Sequence, residues 1–182
     1  MTHHRQLQEL LDSIDEPNRT ACKRIWQENE ELFRTAKGSK ANHQTWEGGY
    51  LDHISETCTI ATTTYCALEQ IRPLPFRLQD ALLALFLHDI EKPWRYGQSA
   101  HPRPDLNSDE RIHEFRQQVI EQYGFLLTPE IWNAVRYAHG EGDEYSPDRR
   151  VRTPLAAFVG SCDVISARVW YDEPHGSRMS GS

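Results

Sequence analysis

Residues 81–92 read ALLALFLHDIEK, and this stretch decides both the fold and the candidate site. Seven apolar residues suited to a helix are followed at once by His88 and Asp89. A segment that is apolar on every side predicts a helix in the centre of the core. An imidazole beside a carboxylate at its end places two metal-binding groups at the edge of that core. We expect this helix to run over 76–92 and to stop before Pro93.

Apolar residues recur at helical spacing along most of the remaining chain, which predicts an all-α protein. The expected helices cover 2–14, 18–36, 50–71, 76–92, 109–123, 129–139 and 154–170. Three boundaries carry clear signals, because Ser108 and Gly124 bracket one helix and Thr128-Pro129 begins the next. Residues 94–107 show no periodicity and predict a long loop.

Composition and charge exclude several classes of protein. No apolar run approaches the roughly 20 residues that span a bilayer. The N-terminus leads into no secretory signal, and the four cysteines form no Cys-x-x-Cys pair, so we expect a cytoplasmic protein. A formal net charge of −7 argues against a surface that holds long nucleic acid. A small anionic substrate bound by a local basic cluster remains compatible with that charge.

Potential metal ligands occur on the inward side of five predicted helices. They are His53, the pair His88-Asp89, His113, His139 and Asp163. A single histidine on a half-apolar face is more often an ordinary core or surface residue, whereas a carboxylate in an apolar helix, as at Asp163, needs a partner or an ion. Together, four neutral imidazoles and two carboxylates suit borderline divalent metal ions.

The order of these residues resembles that of the HD-domain superfamily of metal-dependent phosphohydrolases. Its pattern matches His53, then His88-Asp89, then Asp163, and histidines 113 and 139 match the subset with two metal ions. The local likeness is to the HD domain of bacterial 3′–5′ exoribonucleases. These share a His-x-x-aromatic-x-Gly-Gly-x-Leu-acid-His segment, here 43–53, and a His-Gly near a Ser-Pro, here 139–140 and 146–147. The resemblance covers 42–170 and implies an HD-type helical bundle.

The resemblance also implies a set of site residues. Two divalent ions (Fe, Mn or Zn, with Mg or Ni as alternatives) would be held by His53, His88, Asp89, His113, His139 and Asp163. Asp89 would bridge the two ions, and Lys92 would face the substrate phosphate, which makes these two the implied catalytic residues. A hydroxide formed between the ions would attack phosphorus in line.

Further candidates for substrate binding are His43 and a basic run that contains Arg149, Arg150 and Arg152. A guanidinium group matches phosphate oxygens in a fork, so these arginines suit a phosphate clamp. The alternative is a solvated face paired with the nearby acids 141, 143 and 144. His43 is either a substrate contact or an ordinary loop residue, and Lys92 is either a phosphate contact or a solvated helix end.

The chain departs from the family pattern in two respects. Glu91 stands where the family often has Gly, which alters the loop or adds an acidic group. The exoribonucleases also carry a nucleic-acid-binding domain for which 182 residues leave no room. We therefore expect one domain over 1–172, with a scaffold at 1–40, a metal-binding core at 42–170 and a disordered tail at 173–182. Its expected partner is a small phosphorylated substrate of nucleotide type, with a homo-oligomer left open.

The function expected from this reading is hydrolysis of a phosphoester or phosphoanhydride in a nucleotide-like substrate. Some HD relatives with the same ligands are instead mixed-valent di-iron oxygenases, and the ligands alone do not separate the two classes. A sensor or binding module without catalysis is the third alternative, although no ligand of the set is missing from the sequence.

Overall fold

The helix at the centre of the molecule is α5 (Leu78–Leu87), which other helices enclose in the computed structural model of residues 3–98 and 103–169. All of its residues from 81 to 87 are buried. It contacts α4 (Gly49–Ile71), α8 (Pro129–Arg136) and α9 (Pro154–Val169). A helix that is apolar on all sides is stable only when its neighbours cover it in this way. The sequence prediction of a central helix is confirmed.

The remaining α-helices surround this centre. They are α1 (His3–Leu11), α2 (Asn18–Glu28), α3 (Glu30–Thr35), α6 (Lys92–Tyr96) and α7 (Asp109–Tyr123). A 3₁₀ turn and an isolated β-bridge follow α8, and the described residues form no strand. The all-α class is therefore confirmed. No helix in the described part of the chain is both long and apolar enough to cross a membrane.

The predicted boundaries of α7 and the predicted start of α8 are confirmed by their capping geometry. Ser108 Oγ accepts a hydrogen bond from the amide of Arg111 at 3.4 Å, and Gly124 ends α7 with a φ of 73°. Thr128 Oγ1 accepts from the amide of Ile131 at 3.3 Å, with Pro129 in the first turn of α8. These caps fix α7, which carries His113, and α8, whose Trp132 lies near the His113 ring.

Several predicted helices have different bounds. The first helix ends at Leu11 rather than at residue 14, and α8 ends at Arg136 rather than at residue 139. The helix expected over 18–36 is broken at Asn29 (φ −127°, ψ 27°), whose Nδ2 donates to Ile25 O and Tyr123 Oη. The central helix covers Leu78–Leu87 rather than 76–92, since residues 88–91 form a turn. Pro93 does not end this helix but lies in the first turn of α6, where proline is tolerated.

These new bounds shorten the long loop predicted over 94–107, since α6 continues to Tyr96. Residues 99–102, Trp170 and the tail predicted to be disordered lie outside the described residues.

The N-terminal helices α1 and α3 pack against the helices around the centre. Phe33 on α3 is fully buried, and its ring meets Tyr50 at 5.5 Å, Trp94 at 6.2 Å and Phe86 at 6.4 Å between centroids. One aromatic side chain thereby joins α3 to α4, α5 and α6. Edge-to-face and offset contacts of this kind add to the stability gained from burial.

Candidate metal centre

Four predicted ligands converge at the carboxyl end of α5. His53 comes from α4, His88 and Asp89 from the turn that follows α5, and Asp163 from α9. One ligand atom from each lies within 4.8 Å of the others, and all four residues are buried. Ile54, Leu87, Ile90 and Cys162, which adjoin these residues in sequence, are buried in the core, so packing of the three helices is what brings the polar groups together.

The distances within this group are those of atoms aimed at a common point. His53 Nε2 lies 3.1 Å from Asp163 Oδ1 and 3.5 Å from Asp89 Oδ2. His88 Nε2 lies 3.2 Å from Asp89 Oδ2 and 3.6 Å from Asp163 Oδ1. Both Nε2 atoms and both Asp89 oxygens are buried and accept or donate no hydrogen bond of normal geometry. Since buried polar atoms are rarely left without a partner, this group fits a divalent metal ion.

The hydrogen bond on the far side of His88 determines which ring nitrogen carries the proton. Nδ1 lies 2.7 Å from the carbonyl oxygen of Leu85, one turn earlier in the chain. A carbonyl oxygen can only accept, so Nδ1 is a donor and Nε2 is the ring nitrogen left for a metal ion. Nε2 is directed at the two carboxylates, where it can bind an ion that replaces its proton.

His53 is oriented in the same way by a buried polar network. Its Nδ1 lies 3.0 Å from Ser166 Oγ, and the Ser166 hydroxyl donates to Glu56 Oε2 at 2.8 Å. Because the hydroxyl proton goes to Glu56, Ser166 Oγ accepts from His53 Nδ1–H, and Nε2 is again left bare. Gln44 Nε2 also donates to Glu56 Oε2, at 2.9 Å. Such partners fix the orientation of metal-binding histidines.

Sequence reasoning missed this network, although helical spacing carries a signal for it. Glu56 follows His53 by three residues on α4, and Ser166 follows Asp163 by three residues on α9. Residues three apart lie on the same helix face. A polar residue at that spacing from each ligand was therefore the feature to look for.

Charge is strongly coupled within the group. Burial disfavours a charged His88, but the carboxylates of Asp89 and Asp163 outweigh burial and raise the pKa of His88 to about 10. Burial likewise opposes ionisation of Asp163, yet the nearby imidazoles of His53 and His88 hold the pKa of its carboxyl well below its usual range. The two carboxylates thus attract a positive charge between the imidazoles, and a metal ion can replace the proton there.

The other two predicted ligands lie in different places. His139 is half-exposed at the edge of the group, with Nε2 3.4 Å from Asp89 Oδ1 and 3.8 Å from Asp163 Oδ2. His113 is not brought to the group. Its ring packs near Trp132, with centroids 6.4 Å apart, and it lines a groove between α7 and α8. The sequence placed His113 on the inward side of α7 but did not show which neighbour it meets.

Lys92 and His43 both lie beside the group. Lys92 is buried, and its Nζ is 2.5 Å from Asp89 Oδ2. The ring of His43 is half-buried, with its centroid 4.9 Å from that of His53, and its Nδ1 contacts Gln44 Oε1. Burial, together with the positive charges of His53 and Lys92, lowers the pKa of His43 to about 4. His43 is therefore a neutral imidazole at neutral pH.

The predicted arginine clamp is not assembled at this group. Arg149 and Arg150 are exposed. Arg152 is half-buried, and its Nη2 donates to Ala156 O at 2.9 Å, within the first turn of α9. Glu141 Oε1 accepts from the backbone amide of Arg152. Arg152 thus has a structural role at the start of α9.

Comparison with known proteins adds no family to this geometry. No protein-family model, curated protein or solved structure matches the chain. The buried group of His53, His88, Asp89 and Asp163 is therefore the observation from which a function has to be argued.

Proposed function

We propose that the chain is an HD-type metal-dependent phosphohydrolase that cleaves a phosphoester or phosphoanhydride in a small, nucleotide-like substrate. One observation carries the proposal: two imidazoles whose Nε2 atoms have no hydrogen-bond partner are aimed at two carboxylates in a buried group. The order of these residues along the chain is the one that the HD resemblance requires. Geometry and order are independent of each other, and both favour the same set of ligands.

In such a site, some residues bind the metal cation and others contact the anionic substrate. A divalent ion bound by the four ligands would supply Lewis acidity and a water acidic enough to ionise near neutral pH. Asp89 and Asp163 provide the negative charge that retains the ion, while Leu85 O and Ser166 Oγ hold the two imidazoles with Nε2 toward it.

Lys92 and His43 supply the groups that favour a phosphate substrate. The Lys92 ammonium is held beside Asp89 at the edge of the group, where it can neutralise a phosphoryl oxygen. Gln44 Oε1 accepts from His43 Nδ1, so His43 Nε2 is left as an acceptor for a substrate hydroxyl or a water. The half-exposed His139 marks the side on which the group meets solvent.

A panel of nucleotides and model phosphoesters, incubated with protein loaded with Mn²⁺, Zn²⁺ or (without oxygen) Fe²⁺, tests this function. We expect release of phosphate or nucleoside with at least one ion, and no release by Asp89→Asn. The control is Asp143→Asn, which changes an exposed aspartate in the 3₁₀ turn and should leave activity intact. Protein that binds an ion and yet cleaves no member of the panel would contradict the proposal.

A further inference from the structure

The two oxygens of Asp89 face different sides of the centre. Oδ2 faces His53, His88 and Lys92, at 3.5, 3.2 and 2.5 Å. Oδ1 faces His139 at 3.4 Å and the Nη2 atom of Arg116 at 3.6 Å. A carboxylate that bridges two ions needs a metal on each side. Here the Oδ1 side meets a guanidinium group.

Arg116 is fixed in this position by a second buried charge. Its Nε donates to Glu91 Oε2 at 2.7 Å, and both side chains are almost fully buried. Arg95 Nη1 lies 3.7 Å from the other Glu91 oxygen. A buried arginine with a hydrogen-bonded carboxylate partner cannot leave without stranding that carboxylate, so its charge stays beside Asp89. Glu91 is the residue that departs from the family pattern, and its partner explains its presence.

His113, predicted to bind a second ion, is one turn before Arg116 on α7. The turn of the helix that faces Asp89 thus presents a cation, while His113 faces Trp132. The sequence already held a signal, because Arg116 lies next to Phe115 and three residues before Val119, both buried. A charged residue on an apolar face is expected to have a buried partner.

We propose that Arg116, held by Glu91, is a built-in cation on the Oδ1 side of Asp89, and that the centre therefore holds one divalent ion. This inference rests on the proposed metal centre. An ion bound at Oδ1 would have to lie close to the guanidinium, and two positive charges at a few ångströms repel strongly in a buried site. Arg116 supplies positive charge there without a second metal.

The charge balance of the centre agrees with a single ion. The count takes the histidines as neutral. Four carboxylates (Asp89, Asp163, Glu91 and Glu56) and three fixed cations (Lys92, Arg116 and Arg95) then leave one net negative charge. One divalent ion converts this to one net positive charge, which suits a phosphate anion. A di-iron oxygenase needs two metals at Asp89, so the same geometry counts against that alternative.

Metal stoichiometry tests this inference without any assay of activity. Protein is loaded with excess Mn²⁺, freed of unbound metal, and analysed for Mn per chain, with titration calorimetry to detect weak binding. The matched variants are His113→Ala and the double variant E91Q/R116Q, which removes both members of the buried pair together. Arg116→Ala alone would strand Glu91 in the core and is less informative.

We expect one ion per chain in the wild type and in His113→Ala, and a second binding event in E91Q/R116Q. Two ions in the wild type, with one lost in His113→Ala, would overturn the inference. A single ion in a folded E91Q/R116Q would also overturn it, because Arg116 would not be what excludes the second metal. No ion in any form would refute the centre and the proposed function together. One ion without phosphatase activity would refute the function alone.

Discussion

The orientation of His53 depends on a single hydroxyl group. Ser166 Oγ accepts from His53 Nδ1 and donates to Glu56, so Ser166→Ala leaves both without this partner. We expect the affinity for Mn²⁺ or Zn²⁺ to fall about 10- to 100-fold, as when partners of metal-binding histidines are removed elsewhere. Competition with a metal-sensitive dye measures the change.

The control for this prediction lies on the same helix. Ser161 is exposed, and its hydroxyl donates to Ala157 O within α9. Ser161→Ala removes a hydroxyl from α9 without touching the metal centre, so it should bind the ion as the wild type does. Equal affinities for the two variants would show that Ser166 does not position His53.

Lys92 should act on the substrate and leave the affinity for metal largely intact. Its ammonium contacts Asp89 Oδ2, on the side of the group where His53 and His88 lie. For Lys92→Gln we expect kcat to fall about 100-fold, the size typical for loss of a group that stabilises transition-state charge. Steady-state kinetics with metal analysis separates this role from metal binding, and Lys37→Gln on the exposed loop is the control. A loss of metal equal to the loss of kcat would assign Lys92 to the metal centre instead.

For single residues, the sequence shows which side chains could bind a metal ion, but it does not show which side chains they contact in the fold. The four residues His53, His88, Asp89 and Asp163 are predicted and converge. His53 and Asp163 lie on apolar helix faces, and His88-Asp89 directly follow an apolar helix. The outcome at His113 differs, since one turn of α7 decides whether His113 or Arg116 meets Asp89. Periodicity gives the inward face of a helix to within about one turn and cannot resolve that choice.

At the start of α4, the backbone of Gly49 packs closely against the segment that carries Gln44, which belongs to the polar network behind His53. A Cβ on Gly49 would lie 2.0 Å from the carbonyl oxygen of Gln44, so Gly49→Ala must displace the segment that carries Gln44. We expect a loss of about 2 kcal/mol in the free energy of unfolding, as for other overpacked sites. Metal affinity should fall as well, because Gln44 binds Glu56 and Ser166.

Gly124→Ala provides the contrast for this prediction. Gly124 has a φ of 73°, and a Cβ there meets no atom within 4 Å. Alanine at Gly124 should cost about 1–2 kcal/mol through backbone conformation alone. Urea unfolding and metal titration of both variants distinguish the two cases. Unchanged metal affinity in Gly49→Ala would mean that the Gln44 segment does not support the site.

Helix boundaries with local chemical signals are predicted well, and those set by tertiary contacts are not. The Ser108 and Thr128 caps are visible in the sequence and are confirmed. No Gly or Pro marks the break at Asn29 in the sequence. The Asn29 side chain donates to the Tyr123 hydroxyl of α7, which is a tertiary contact that the local sequence does not show. A proline such as Pro93 can follow the end of one helix or lie in the first turn of the next. Because residues 88–91 form a buried turn, Pro93 lies at the start of α6.

For the whole molecule, a bound ion should add to the stability of the fold, because its ligands come from α4, the turn after α5, and α9. The unfolded chain does not bring these segments together, so an ion binds the native state preferentially. At a free Mn²⁺ concentration 100 times Kd, we expect the free energy of unfolding to rise by about 2.7 kcal/mol. Urea unfolding followed by tryptophan fluorescence, with and without Mn²⁺ and after a chelator, measures the gain. Asp163→Asn should lose the gain and Asp143→Asn should keep it. If Asp163→Asn gained as much as the wild type, the ion would be bound elsewhere on the chain.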